Sequence, residues 1–75
     1  MAIKYSSDYI AENVYRLRKE KLNMSQEKFG EIVDLSKDTI SNIERGRYRP
    51  NLETLISISN ATDVAVDYFL LKQEG

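Results

Sequence analysis

The chain contains no cysteine and no histidine among its 75 residues. Disulfides, thiolate nucleophiles, zinc sites of the usual kind and most acid-base catalysis at neutral pH are thereby removed, so an enzyme is not expected. One proline and three glycines, with no repeated or low-complexity segment, leave no room for an internal linker. The chain reads as one domain over residues 1–75, with its core in 8–71 and residues 1–6 as a flexible arm. Long apolar runs are missing too: nothing approaches the roughly 20 residues of a membrane span, and the N-terminus lacks the basic-then-apolar order of a signal peptide. A cytoplasmic protein without a membrane partner is the expectation. At this length one small core is possible and a deep cavity beside it is not, so neither a cofactor nor a small-molecule ligand is expected.

The net charge is small, -1, but it is unevenly spread. Residues 16–50 hold nine basic side chains against six acidic ones, a net of +3, while residues 51–75 hold Lys72 against Glu53, Asp63, Asp67 and Glu74, a net of -3. Residues 1–15 add -1. Four of the basic side chains, Lys37, Arg45, Arg47 and Arg49, crowd into "SKDTISNIERGRYRP". A basic end opposite an acidic one fits a phosphate-facing surface with a solvated or partner-facing surface behind it.

Apolar spacing supplies the elements. Ile10, Val14 and Leu17 recur at intervals of three and four, with Lys21 continuing the stripe, which predicts a helix over about residues 8–21. Ser25 is placed to cap "QEKFGEIV", with Glu27 in the first turn and Phe29, Ile32 and Val33 as the buried stripe. Ser36 is placed to cap "KDTISNIER", with Ile40 and Ile43 pointing inward and Gly46 ending the helix in a left-handed conformation. "RYRP" is a loop, since the residue before Pro50 is driven out of helical geometry. Asn51 caps a fourth helix carrying Leu52, Leu55, Ile56 and Ile58, and "VDYFLLK" reads as a short fifth one with Val66, Phe69 and Leu70 as its apolar side. A strand in that last segment would have no second strand to pair with. The expected fold is all-α, a compact arrangement of five short helices.

Within residues 26–45 the sizes of the side chains are informative. For the helix at Gln26–Val33 to cross the one opening at Ser36 close to a right angle, the crossing point must be almost bare, and Gly30 sits there. A glycine in a helix costs about 1 kcal/mol relative to alanine, so it calls for a reason. Phe29, Val33, Leu35, Ile40 and Ile43 around it are spaced to fill the wedge between two crossing helices.

With these residues in view, "MSQEKFGEIVDLSKDTISNIERGRYRP" resembles the helix-turn-helix of the phage-repressor family, the Cro-like or Xre-type DNA-binding domains. The likeness runs from about Arg16 to Leu71 and takes in "LRKEK", "SQEKFG", "KDTIS", "IERG", the proline after the loop and "DYFLL". It implies a five-helix lambda-repressor-like domain with helix three entering the DNA major groove and helix two lying across the backbone. The chain departs from the family's pattern in places. Asp34 stands where glycine is usual, which predicts a positive φ there. One residue is inserted around Leu22 to Met24, and Thr62, Asp63 and Ala65 replace leucine, glycine and a capping serine before the last helix.

At 100° per residue, the side of helix three opposite Ile40 and Ile43 carries Asp38, Asn42 and Arg45, with Ser41 beside them and Lys37 and Thr39 on the flanks. Lys37 can donate to guanine O6 or N7, Asn42 can hold adenine with two bonds, and Asp38 can accept from a cytosine amino group. Ser41 completes the set of expected base contacts, while Thr39 and Arg45 lie nearer the walls of the groove, where the phosphates are. Arg47, Tyr48 and Arg49 in the following loop are expected on the DNA backbone, each neutralised phosphate releasing counterions. By the resemblance, Gln26 also contacts a phosphate at the start of helix two. Glu44 falls about 40° from Ile40, on the inner edge of helix three, where an unpaired carboxylate is costly. The resemblance places an arginine of helix one opposite it, and Arg18 is the match, so the two are expected as an intramolecular ion pair.

The expected function is that of a sequence-specific transcriptional regulator, a repressor, with double-stranded DNA as partner. One such module covers little DNA surface, and specificity comes from two copies on adjacent half-sites, so a homodimer is expected; the surface most available for it is the acidic end around Val64 to Leu71, the alternative being that these residues only close the core. The alternative is a protein-interaction module, an antitoxin or antirepressor-like partner built on the same fold.

Overall fold

The computed structural model of the protein describes residues 3–73. Among these every regular element is helical and none is a strand. The first helical stretch changes geometry twice: a 3-10 turn, Ser7–Tyr9, leads into α1, Ile10–Arg16, which continues as a π-turn, Leu17–Lys21. Leu22 N donates to Leu17 O at 2.9 Å and Met24 N to Arg18 O at 3.0 Å, five and six residues back. A widened turn of this kind takes up one more residue than an α-turn. Asn23 then closes it with φ 52°.

Next come α2, Gln26–Val33, α3, Lys37–Glu44, and α4, Leu52–Thr62. Each start is satisfied locally. Ser25 Oγ accepts from Lys28 N at 3.1 Å, Ser36 Oγ from Thr39 N at 3.0 Å and Asn51 Oδ1 from Thr54 N at 2.9 Å, answering amides that have no partner inside the helix. Ile10, Val14 and Leu17 from the first stretch meet Phe29 and Val33 of α2, Ile40 and Ile43 of α3, Leu55 and Ile58 of α4, and Phe69. Burying each such side chain is worth about 1.5–3 kcal/mol.

Two expectations need correction. Ile32 does not join the core: it is 37% exposed, because α2 packs inward through Phe29, Gly30 and Val33 and the residue before Val33 is rotated away. The protein also has four α-helices and not five, for Val66–Leu70 is a 3-10 segment. Ala65 offers that segment no side-chain cap, and its carbonyls are taken from outside. Buried Asn13 Nδ2 on α1 lies 2.9, 3.2 and 2.7 Å from the carbonyl oxygens of Tyr68, Phe69 and Leu71, and Ser6 N donates to Leu70 O at 2.8 Å. These bonds satisfy carbonyls that the short 3-10 segment leaves without a partner of its own. Residues 1 and 2 of the expected arm lie outside the described residues, and Ser6 at its other end is held by Leu70.

Candidate nucleic-acid interface

The centre of the site is the junction of α2 and α3. Asp34 ends α2 with φ 60°, and Leu35 N returns to Gly30 O at 2.8 Å. A Cβ on Gly30 would stand well inside contact distance of the Leu35 carbonyl oxygen. The bare backbone therefore lets the turn lie directly on α2, and α3 leaves from there across it. Ile40 and Ile43, both buried, fix which way α3 faces.

That orientation leaves Lys37, Asp38 and Arg45 exposed, with Ser41, Asn42 and Thr39 half-buried. Ser36 Oγ and Thr39 Oγ1 lie 2.8 Å apart, so the Thr39 hydroxyl is engaged at the helix start. The chain then doubles back. Gly46 takes φ 75°, and Arg47 N and Tyr48 N donate to Asn42 O at 2.9 and 3.2 Å. Arg45, Arg47, Tyr48 and Arg49 are all exposed, and Tyr48 lines one hollow with Thr39 and Asn42 of α3. Arg49 Nη2 lies 3.4 Å from Asp8 Oδ1 with both side chains largely solvated. An exposed pair contributes about 0–1 kcal/mol, so a phosphate can displace Asp8.

Behind the face, one carboxylate ties three parts of the chain together. Arg18 Nε donates to Glu44 Oε2 at 2.6 Å and Arg18 Nη2 to Glu44 Oε1 at 2.9 Å, a two-bond pair with side chains 9% and 7% exposed. Arg18 Nη1 donates to Met24 O at 2.8 Å. These bonds satisfy the guanidinium on both sides, the condition under which a buried ion pair is tolerated. The hydrogen bond to Glu44 holds the Arg18 pKa above the ordinary arginine value against the opposing pull of desolvation. Gln26 Nε2 also donates to Glu44 Oε1, at 3.1 Å. Gln26 is thus not wholly free at the start of α2; one amide N–H is spent internally and the other is left for a ligand.

The structure therefore leaves Lys37, Asp38, Arg45, Arg47, Tyr48 and Arg49 exposed and Thr39, Ser41, Asn42 and Gln26 half-buried, and keeps the Arg18 and Glu44 side chains inside. Sequence reasoning missed Asn13, which anchors the C-terminal segment to α1, and the claim of Asp8 on Arg49; neither has a local signature. Among the described residues no group of three His, Cys, Asp or Glu side chains could hold a metal ion. No helix among them is long and apolar enough to cross a membrane.

Two short helices, capped at their starts and joined through a left-handed residue, the second lying across a glycine of the first with a polar face outward, define a helix-turn-helix. The chain belongs to that family: the HTH_3 model, described as helix-turn-helix, matches residues 14–69. It is 35% identical over 65 residues to the uncharacterized HTH-type transcriptional regulator YqaE of Bacillus subtilis (strain 168), covering 87% of this chain and 54% of that protein. It is 38% identical over 55 residues to repressor protein C2 of Salmonella phage P22, covering 73% of this chain and 26% of that one. The chain thus spans about half of the first relative and a quarter of the second. Among solved structures, the P22 c2 repressor in complex with a synthetic operator is similar with a TM-score of 0.69 at 36% identity, covering 81% of this chain and 91% of that one.

Proposed function

We propose that this single domain is a cytoplasmic, sequence-specific DNA-binding regulator of the repressor type, which inserts α3 into the major groove of a two-fold operator as a homodimer. The observation that carries the reading is the outward face of α3, polar along its length and uncovered by the chain's own core, followed in the chain by three exposed arginines. Similarity to a repressor whose structure was determined on operator DNA supports it.

Lys37, Asp38, Ser41 and Asn42 are assigned to base edges. Lys37 donates to guanine, Asn42 pairs with adenine and Asp38 accepts from cytosine. Asp38 is repelled by phosphates, so it lowers nonspecific affinity and rewards sites that offer it a donor. Thr39, Arg45, Arg47, Tyr48 and Arg49 are assigned to phosphates, with Gln26 contributing its second amide N–H and the start of α2 its unpaired amides. Thr39 retains this role if Ser36 donates to its oxygen, leaving the Thr39 O–H to point outward. Arg18 and Glu44 act from behind by fixing α3 against α1. The C-terminal end is a poorer dimer surface than the sequence suggests: Phe69 is buried, and Val64, Val66, Leu70 and Leu71 are half-buried against the core.

Selection of bound sequences from a random duplex pool tests the proposal, with affinity for the selected site measured across a salt series. Asn42→Ala is expected to relax preference at one operator position by about 1–3 kcal/mol, and Arg49→Ala to weaken all sequences alike while reducing the salt slope by about 1. No binding to any duplex at low salt would return the protein to the alternative, a protein-interaction module.

A further inference from the structure

Among the described residues Arg49 is in an ion pair, whereas Arg45 and Arg47 are in none. Its acid, Asp8, stands 41 residues away in the chain and is held in place from behind. Ser6 N donates to Leu70 O at 2.8 Å, which fastens the N-terminal turn to the C-terminal segment. Ser6 Oγ accepts from Asp8 N at 3.1 Å, which fixes the start of that turn. Asp8 then lines a second hollow together with Ile43 and Gly46 at the end of α3 and with Tyr48 and Arg49 of the loop. On the other side, Arg47 N and Tyr48 N are bonded to Asn42 O and Pro50 is buried, so the backbone that carries Arg49 is held as well. Two anchored stretches of backbone thus present a carboxylate and a guanidinium to each other at 3.4 Å, with side chains 79% and 62% exposed.

We infer that Asp8 is an internal competitor of the DNA phosphate for Arg49, an autoinhibitory contact supplied by the N-terminal turn. The inference rests on the proposal that Arg49 meets a phosphate. A phosphate takes Arg49 only once the pair with Asp8 has opened, and opening it costs what the pair contributes. An exposed pair contributes little, so the brake is partial. The released carboxylate is then left beside a phosphate that repels it. Neither charge reads a base edge, so affinity for every duplex falls by the same factor and the ratio of operator to nonspecific binding is unchanged. Ser6 is the positioning residue, because without its hydroxyl the turn that carries Asp8 loses its cap.

The test measures the affinity of Asp8→Asn, Arg49→Ala and the double variant at one salt concentration, on the selected operator and on an unrelated duplex, with folding followed by circular dichroism. Asp8→Asn keeps the shape of the side chain and is expected to bind both duplexes about two- to fivefold more tightly than the parent. In the Arg49→Ala background most of that gain is expected to vanish, since only the repulsion between Asp8 and phosphate is left to relieve. Ser6→Ala is expected to reproduce part of the gain and to add nothing to Asp8→Asn, while Ser6→Thr, which keeps a capping hydroxyl, behaves like the parent. The inference is overturned if Asp8→Asn does not tighten binding, or if its gain survives in full without Arg49, which would make it an effect of net charge alone. A protein that binds no duplex, or whose Arg49→Ala variant binds as well as the parent, rejects the reading of the interface itself. A protein that binds, needs Arg49 and ignores Asp8 rejects this inference alone.

Discussion

Replacing Gly30 by alanine opposes two effects of known sign. Alanine is the better helix former by about 1 kcal/mol, so in an ordinary surface helix the substitution stabilises. Here the new Cβ points at the Leu35 carbonyl oxygen, with the Leu35 and Ser36 carbonyl carbons next at 3.4 and 3.5 Å. These are backbone atoms, and the Leu35 amide is itself bonded to Gly30 O at 2.8 Å, so the turn has no side chain to swing aside. It must retreat by on the order of 1 Å to reach ordinary contact. Overpacking typically costs 1–3 kcal/mol, and a backbone obstacle belongs at the upper end, about 3 kcal/mol. After the propensity gain the net loss is about 2 kcal/mol, which in a domain of this size lowers Tm by about 8–16 °C. Scanning calorimetry of the two proteins measures this directly. Operator affinity, taken well below both melting temperatures, is expected to fall more than nonspecific affinity, because α3 is re-aimed and the charge is unchanged. A Gly30→Ala protein with an equal or higher Tm and unaltered operator binding would refute the close crossing on which the whole interface rests.

Other perturbations act on separate parts of the argument. Arg18→Met leaves Glu44 buried without its cation and is expected to cost about 3–5 kcal/mol, whereas Arg18→Met with Glu44→Leu recovers most of that; chemical denaturation of the three proteins decides, and equal losses would contradict the account of the pair. Asp34→Gly and Asp63→Gly each relieve a left-handed non-glycine residue, with φ 60° and 58°, and should each stabilise by about 1 kcal/mol, or raise Tm by about 4–8 °C. Burial raises the Tyr68 pKa, Arg16 opposes that, and Glu20 adds to it. A phenol whose folded pKa lies above its unfolded value near 10 stabilises fully below the unfolded value and loses that contribution as pH rises through the folded one. Tyr68→Phe should therefore melt like the parent at pH 7 and lose less stability above about pH 10, with parallel loss in both proteins as the contrary result.

The determinants of α2, the turn and α3 lie close together in the chain, which is why so much of this unit can be read without coordinates. Ser25 and Ser36 each cap an amide three residues ahead, Gly30 and Leu35 meet across five residues, and Ile40 and Ile43 alone fix which side of α3 turns outward. What the sequence does not show is how this unit is fastened to the rest. Asn13 chooses carbonyls 55 to 58 residues away, and the apolar pattern of Val66, Phe69 and Leu70 does not reveal that the segment they lie in is a 3-10 turn. Gln26 looks free by its position at a helix start, yet a carboxylate 18 residues later claims one of its protons. The same carboxylate belongs to the ion pair with Arg18, 26 residues apart, which periodicity could show only as a need for some cation. The order of legibility thus follows the distance along the chain over which each interaction is closed. It also separates two roles. Residues proposed to face DNA are identified by what lies within one turn of them. Residues that hold those side chains still are identified only when distant segments meet, so substitutions at Arg18, Asn13 or Glu44 should alter binding through the position of α3 and leave its chemistry intact.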